Sequence, residues 1–412
     1  MKFKALIGTS VLAMAVATPA HAQSGGSSSD PYGEIVVTAQ RQSERLQDVP
    51  IAVSAFSAEA LEKQQIDNAS DLQLTLPNVT FSKGNFTGSS FTIRGIGDLC
   101  VGSSCDSATA IHVNGSPLFG TRIFETEYFD LERIEVLRGP QGTLFGRNAT
   151  SGVVNFVTAK PKVGQFQASA DGEYGNLDAW KVKGMVNVPQ GDTIALRAEG
   201  FYLKRGGYTK NLFDDSHIDG REMYALRGSL RWDPSPDTSL DLMGYYFREK
   251  DDRLRIQKQF CQRDPTGVLG CLNNRRDAEK VNGNATFPSV LGSREVFALN
   301  GISPLLGLGT GSLYGADANA GAIEPADVRT VNTDFTPEYF TDEIQAQAHF
   351  EHNFGAIKLG LTGIYQRTRV DSRQDYNLDV ANRATIQPGL NALAYLAANG
   401  IPTGVASPAF IP

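Results

Sequence analysis

The feature that most constrains this chain is a series of long segments, all after residue 160, in which apolar and polar residues alternate strictly. In WKVKGMVNVP, Val182, Val186 and Val188 share one face of an extended strand, and Lys181 and Lys183 share the other. The same alternation recurs at 194–200, 224–232 and 357–362. Strands of soluble sandwiches usually have about 5 to 6 residues, whereas a tilted strand needs about 9 to 11 to cross a membrane. The longer segments therefore predict membrane-spanning strands.

The links between these segments fall into two kinds. Seven strands are predicted, at 165–175, 179–188, 193–204, 222–233, 238–250, 340–354 and 356–370. The links after the second, fourth and sixth strands are short (PQGD, PSPD and GA), whereas those after the third, fifth and seventh are long. Short turns at one end and long loops at the other are typical of an outer-membrane β-barrel. The alternation then predicts apolar side chains toward lipid and charged side chains toward the lumen.

The first 22 residues have the pattern of a secretory signal peptide. Lys2 and Lys4 precede an apolar run over 5–17, and Ala20 and Ala22 are small residues suited to cleavage. The run is shorter than the ~18 to 20 apolar residues of a membrane-spanning helix. We therefore expect export and cleavage after residue 22, and no transmembrane helix later in the chain.

Composition and motifs exclude several classes of function. A net charge of −7 and a pI near 5.4 argue against a nucleic-acid partner, which needs clustered Lys and Arg. GPQGTLFGRN lacks the Lys-Ser/Thr pair of a phosphate loop. His349 and His352 are three residues apart, so on a strand they point to opposite faces and make a poor metal pair. No nucleophile and base stand at usable spacing, so neither an enzyme nor a metal site is expected.

The four cysteines form two close pairs, Cys100 with Cys105 and Cys261 with Cys271. No histidine lies near either pair. Local disulfides in an oxidising compartment are therefore favoured over a zinc site. We expect both bonds in outward-facing loops.

The segment between the signal peptide and the alternating strands reads as an α+β unit. Residues 23–48 are a Gly/Ser-rich tether that contains one β-branched stretch, EIVVT. Strands and two short helices follow over 49–161, with Gly-rich turns between them. Pro77 is expected to end the second helix.

This unit resembles a known family. EIVVTAQR, DVPIAVSAFSAEAL, DLQLTLPNVTF, FTIRGIG and IHVNGSPL are similar to the plug domain of TonB-dependent outer-membrane receptors. The most specific stretch is FDLERIEVLRGPQGTLFGRNATSGVVNFVTAKP, and the resemblance covers residues 34–161. It implies an α+β plug domain followed by an antiparallel transmembrane β-barrel.

The resemblance also implies a TonB box in the tether. Its residues are Glu34, Ile35, Val36, Val37, Thr38 and Ala39. Such a box adds as a strand to a sheet in the C-terminal domain of TonB, which an inner-membrane complex energises; main-chain hydrogen bonds give affinity and side chains give fit. The alternative is that EIVVT is the first strand of the plug's own sheet.

Two arginines, Arg94 in IRG and Arg138 in LRGP, are similar to the plug arginines that pair with carboxylates on the barrel wall. The alternative is an ordinary surface arginine beside a turn. The partner glutamates are expected in barrel strands beyond this chain, because seven strands are far fewer than the roughly 22 of a plugged transporter. We therefore expect residues 162–412 to be a partial barrel with long extracellular loops at 251–339 and 371–412, the N-terminal part of a longer receptor.

The function implied by the resemblance is energised import of a scarce, large ligand across the outer membrane of a Gram-negative bacterium. An iron–siderophore complex is the expected ligand, outer-membrane lipid surrounds the strands, and no cofactor is expected. A passive porin or a secreted β-sandwich binding protein is the alternative. Ligand contacts are expected at the plug apex, in 82–90, 97–109 and 116–122.

Overall fold

The structure is a computed structural model whose chain falls into an N-terminal domain and a large antiparallel sheet. It describes residues 35–39, 41–42, 44–83, 89–97, 107–118, 126–254, 262–263, 271–272, 293–299, 325, 327, 329–375 and 380. The N-terminal elements are β1 (Val36–Val37), β2 (Glu44–Arg45), β3 (Val53–Ser57), α1 (Ala58–Lys63), α2 (Ala69–Thr75), β4 (Val79–Lys83), β5 (Ser89–Ile93), β6 (Thr109–Val113), β7 (Ser116–Pro117), β8 (Leu131–Arg138), α3 (Gly142–Phe145) and β9 (Gly152–Thr158).

Side-chain caps fix the starts of the two longer helices. The Ser57 hydroxyl accepts from the backbone N–H of Ala60 at the start of α1. At the start of α2, Asn68 and Asp71 form a reciprocal capping box, which satisfies backbone donors that the helix itself leaves free. The second helix ends at Thr75, two residues before Pro77, as the sequence predicts.

A five-stranded sheet forms the centre of this domain, in the order β3-β8-β9-β6-β7. Only the β6–β9 pairing is parallel. Ile134 and Val136 of β8 pack with Leu72 of α2 in one core cluster. Leu137, on the opposite face of β8, packs with Phe145 in a second. Both faces of the sheet are thus covered, and the predicted α+β fold is confirmed.

The second half of the chain is dominated by long strands. Its elements are β10 (Gln167–Gly175), β11 (Ala179–Gln190), β12 (Ile194–Arg205), β13 (Thr209–Asn211), β14 (His217–Ile218), β15 (Arg221–Ser235), β16 (Thr238–Asp251), β17 (Gln262–Arg263), β18 (Cys271–Leu272), α4 (Arg294–Leu299), β19 (Thr330–Val331), β20 (Glu338–Asn353) and β21 (Lys358–Arg373). Within the described ranges, no helix is long and apolar enough to cross a membrane.

Seven of these strands form one antiparallel sheet in the order β10-β11-β12-β15-β16-β20-β21. All seven predicted strands are therefore present, and each lies within a few residues of its predicted bounds. The three turns at 191–193, 236–237 and 354–357 lie at one end of the sheet, and the segments 206–220 and 252–337 leave from the other. Five of the seven strands are one to three residues longer than predicted, with the added residues at the turn end in β11 and at the loop end in β16 and β21.

The two faces of this sheet differ as the alternation predicts. Leu196 and Leu226 lie on the outer face, and they are 44% and 59% exposed. Arg197 and Arg227, one residue further along the same strands, are only 5% and 6% exposed because the N-terminal domain covers them. The apolar face is thus open and the charged face is covered.

Candidate functional site

The segment predicted to be the TonB box lies against the N-terminal domain. Val36 and Val37 pair antiparallel with Arg45 and Glu44. The Val37 side chain is fully buried in the core cluster that contains Leu137, whereas Val36 is 43% exposed. Of the other predicted box residues, Ile35 packs at the edge of this cluster, Ala39 is buried within it, and Glu34 is outside the described residues.

Thr38 is held by a buried carboxylate. Its backbone N–H donates to Oε1 of Glu135 over 2.8 Å, and its hydroxyl lies 3.0 Å from each carboxylate oxygen. The same carboxylate accepts from Nε of Arg133 at 2.8 Å and from Nδ2 of Asn155 at 3.0 Å. Glu135 is 0% exposed, so these donors replace the water that it has lost.

Arg41 makes a second attachment just beyond this segment. Its Nε donates to the carbonyl oxygen of Leu144 over 2.7 Å. Its guanidinium carbon lies 5.2 Å from the centre of the Phe145 ring, a distance at which a cation is attracted to the ring face. The chain leaving the segment is therefore fixed to α3.

The N-terminal domain binds the sheet through carboxylates that meet basic side chains. Asp67, just before α2, accepts from Lys181 and Lys183 of β11, each over 2.8 Å. Glu127 lies 2.9 Å from the same Lys181. Burial alone would raise the pKa of Asp67, but the hydrogen bonds and charges of the two lysines outweigh it and lower the pKa below the usual value. Asp67 is therefore ionised at neutral pH.

Two arginines of neighbouring strands continue this contact. Arg197 of β12 donates from Nε and Nη2 to the two carboxylate oxygens of Asp130, over 2.6 and 2.5 Å. Arg227 of β15 pairs with Glu199 and donates to the backbone oxygens of Phe129 and Asp130, at 3.1 and 2.8 Å. The short segment 127–130 therefore carries most of the polar contact with this part of the sheet.

An aromatic side chain from the same segment adds apolar contact. Phe129 packs against Phe201, Met223 and Phe247, all on the covered face of the sheet. The guanidinium of Arg227 lies 4.6 Å from the centre of the Phe129 ring. This contact excludes water from the neighbouring ion pairs, and each of those pairs is stronger as a result.

A third contact joins the N-terminal domain to β20, several strands away from β11. Gln347 of β20 donates from Nε2 to the backbone oxygen of Val113, over 3.2 Å. Asn114, in the turn after β6, donates to Oε1 of Gln347 at 3.4 Å. With the bond from Asn114 to Met243 of β16, the N-terminal domain contacts β11, β12, β15, β16 and β20.

The two predicted plug arginines are placed differently from these contacts. The backbone N–H of Arg94 bonds to the Asn78 oxygen, and its side chain is exposed. Arg138 donates from Nη2 to the Ser54 hydroxyl over 2.9 Å, while its buried Nε has no hydrogen-bond partner among the described residues. The pairing of these two arginines with carboxylates of the barrel wall stays a prediction.

The predicted disulfides stay predictions as well. Cys100, Cys105 and Cys261 lie outside the described residues, and only the backbone of Cys271, at the start of β18, is described. Most of the expected ligand-binding stretches lie outside the described residues too, at 84–88, 98–106 and 119–122.

The acidic contacts of Asp67, Glu127 and Asp130 are functional candidates that the sequence did not reveal. The alternation correctly predicted that Lys181, Lys183 and Arg197 point inward. Their partners lie 67 to 116 residues away in the sequence, in turns without any periodic pattern. The available signal was two carboxylates within the four residues EYFD, directly before a predicted strand.

Comparison with known proteins identifies the N-terminal domain. Residues 45–153 match the family described as TonB-dependent Receptor Plug Domain. The iron-regulated outer membrane virulence protein of Vibrio cholerae is 26% identical over 228 residues, which are 50% of this chain and 32% of that protein. The vitamin B12 transporter BtuB of Vibrio vulnificus is 28% identical over 255 residues, 59% of this chain and 40% of that protein. The chain thus spans less than half the length of these relatives.

Solved structures share the fold of both parts. The ferric yersiniabactin uptake receptor FyuA from Yersinia pestis superposes with a TM-score of 0.56 at 15% identity, over 78% of this chain and 41% of that chain. The ferric-catecholate import receptor Fiu from E. coli superposes with a TM-score of 0.53 at 18% identity, over 82% and 42%. Residues 45–153 are therefore a TonB-dependent receptor plug domain, and the strands after it share the fold of part of the antiparallel β-barrel of these receptors.

Proposed function

We propose that this protein imports a scarce ligand, too large for porins, across the outer membrane of a Gram-negative bacterium. Export with a cleaved signal peptide of 22 residues delivers it there. The ligand binds outside, at the loops and the plug apex, and energy arrives from the periplasmic side through the C-terminal domain of TonB.

The observation that carries the proposal is the plug bound to the charged inner face of the barrel strands. Glu127 and Asp130, which are largely buried, and the 40% exposed Asp67 meet basic side chains of the barrel wall. Breaking the buried ion pairs of Glu127 and Asp130 without replacing them costs far more than thermal energy, about 3 to 5 kcal/mol for each uncompensated charge. A passive pore needs no such plug, whereas a transporter that opens on demand needs an outside source of energy.

The outer membrane cannot supply that energy by itself. Porins make it leaky to small ions, so the ~2.3 kcal/mol per charge per 100 mV of an energised membrane is available only at the inner one. A strand that a periplasmic partner can pull is a suitable transmitter. We assign this role to residues 34–39, with strand addition to TonB as the mode of binding.

A ferric siderophore is the ligand class that the relatives favour. The named relatives include an iron-regulated outer membrane protein and receptors for ferric yersiniabactin and ferric catecholates. A vitamin B12 transporter is among them too, and corrinoids are therefore the second candidate class.

A growth experiment tests the function and the ligand class together. A strain lacking this gene is grown on a panel of single iron sources and corrinoids, alongside the parent and a strain lacking TonB. We expect both mutants to fail on the same ferric siderophore. Growth of the gene-deletion strain on every source that supports the parent would contradict import, and loss of corrinoid use alone would reassign the ligand class.

A further inference from the structure

We infer that Glu135 is the positioning residue that holds the 34–39 segment on the plug, so that a strand-adding partner can take this segment only after Thr38 has left the carboxylate. The inference rests on the proposed role of residues 34–39.

Several backbone groups of the held segment are already bonded to the plug. A partner strand bonds to backbone N–H and C=O groups along one edge. The Thr38 N–H is already bonded to Glu135 over 2.8 Å. The Ile35 oxygen accepts from the Leu46 N–H over 2.9 Å, and Val36 and Val37 pair with β2. An incoming strand therefore meets occupied groups at Thr38 and along the edge that faces β2.

The Val37 side chain of the held segment is unavailable to a partner as well. Val37 is fully buried against the sheet of the plug, with Leu137 in the same cluster. β8 directs both Glu135 and Leu137 to this face because they are two residues apart on one strand. One face of β8 thus provides both the apolar contact for Val37 and the polar contact for Thr38.

The remaining partners of Glu135 make release reversible. When Thr38 leaves, Arg133 and Asn155 still donate to the carboxylate, over 2.8 and 3.0 Å. A buried charge that loses every partner is strongly destabilising, but here the Arg133 guanidinium and the Asn155 amide remain bonded to Glu135. The plug can therefore release the segment and rebind it without unfolding.

The same carboxylate connects the segment with the barrel wall. Asn155, which donates to Glu135, also accepts from the Gly115 N–H over 3.0 Å. Gly115 lies in the turn whose Asn114 bonds to Gln347 of the barrel. The contact at Thr38 is thus one end of a hydrogen-bonded chain through the plug, which is a further reason to place the holding role on Glu135.

The test measures the affinity of the TonB C-terminal domain for the intact, ligand-free receptor. Glu135→Gln keeps the side-chain volume but removes the charge that strengthens the Thr38 hydrogen bonds. We expect roughly five- to tenfold tighter binding than for the parent, because a charge-assisted hydrogen bond is about twice as strong as a neutral one. Glu132→Gln is the matched control, because Glu132 lies on the same strand and pairs with the same Arg133, but the hydrogen bonds of Thr38 go to Glu135, so the affinity should stay unchanged.

A synthetic peptide of residues 30–45 separates the two claims. If the peptide does not bind the TonB domain, the proposed partner is wrong whatever Glu135 does. If it binds, and the Glu135→Gln and Glu132→Gln receptors both bind like the parent, the holding role of Glu135 is refuted. Should Glu135→Gln fail to fold, Thr38→Val is measured in both receptor and peptide. We then expect Thr38→Val to increase the affinity of the TonB domain for the receptor relative to its affinity for the peptide. An unchanged ratio of these two affinities overturns the inference.

Discussion

Arg197 of the barrel wall and Asp130 of the plug form a two-point ion pair, with Nε–Oδ2 and Nη2–Oδ1 distances of 2.6 and 2.5 Å. Parallel hydrogen bonds of this kind fix orientation as well as distance. The arginine side chain is 5% exposed and the aspartate side chain 15%. This pair therefore fixes the segment before β8, and with it the central sheet of the plug, against β12.

Replacing Asp130 should loosen the plug while the barrel persists. In Asp130→Asn the buried guanidinium loses its charged partner and one of its two acceptors, and its remaining ion pair is the longer contact with Glu199, at 3.7 Å. We expect the free energy that holds the plug against the barrel wall to fall by about 3 kcal/mol. Entry of a bulky antibiotic into cells should rise, while heat-modifiable migration in detergent gels stays normal. Glu59→Gln is the control, because it breaks an ion pair on α1 whose two side chains are 73% exposed; equal permeability of the two variants would count against a seating role for Asp130.

The arginines predicted from the family resemblance give a second test of seating. Arg138 has a buried Nε with no partner among the described residues, as expected if a carboxylate from another strand reaches it. We expect Arg94→Ala combined with Arg138→Ala to raise entry of the same antibiotic without preventing assembly. Unchanged permeability, in a receptor that is correctly inserted, would show that neither arginine secures the plug.

The barrel and the plug differ in how far the sequence predicts them. Strand positions in the barrel follow from a local pattern, because alternation in a segment such as 180–189 shows directly which face meets lipid. The contact between Asp130 and Arg197 joins residues 67 apart, and no local pattern records such a pair. The sequence therefore predicts which basic residues face inward, and the fold shows which carboxylates meet them.

The 34–39 segment illustrates the same limit. Its β-branched residues predict a strand, and its Gly/Ser-rich flank predicts a tether. Pairing with residues 44–45 is set by the turn between them, where Arg41 has a positive φ of 59°. An arginine gives no sequence signal for that conformation, because only Gly, Asn and Asp adopt it routinely.

A single charged substitution tests whether the apolar outer face of the barrel sheet contacts lipid. Leu242 of β16 is 40% exposed on the apolar face, where it lies between Leu240 and Tyr246 of the same strand. Leu242→Arg should destabilise the folded barrel by up to about 2 to 4 kcal/mol, the cost of a cation at the bilayer midplane. A lower urea midpoint for heat-modifiable migration is the measurement. Leu74→Arg, at a plug position that is 83% exposed, should leave the midpoint unchanged; an equal loss in both variants would contradict lipid contact at Leu242.

The attachment of the plug to the barrel wall should weaken at low pH. The pKa of Asp67 in the folded protein is below its usual value, because the contacts with Lys181 and Lys183 outweigh the effect of burial. Its contribution to stability is therefore fully present above the unfolded pKa and is lost as the pH falls through the lowered folded pKa. We expect pepsin to cleave plug peptides faster as the pH falls from about 5 to about 2. Asp67→Asn should reduce this dependence, and an identical pH profile in the variant would contradict the assignment.

The central claim is that residues 34–39 transmit energy by adding as a strand to a periplasmic partner. Val36→Pro removes a backbone donor and restricts φ, whereas Val36→Ile keeps the backbone and the β-branch. The most direct measurement is cellular accumulation of the radiolabelled ferric siderophore found in the growth panel, with surface binding recorded in the same cells. We predict that Val36→Pro abolishes accumulation and preserves surface binding, while Val36→Ile behaves like the parent. Normal accumulation in Val36→Pro cells, or loss of surface binding together with accumulation, would contradict the claim.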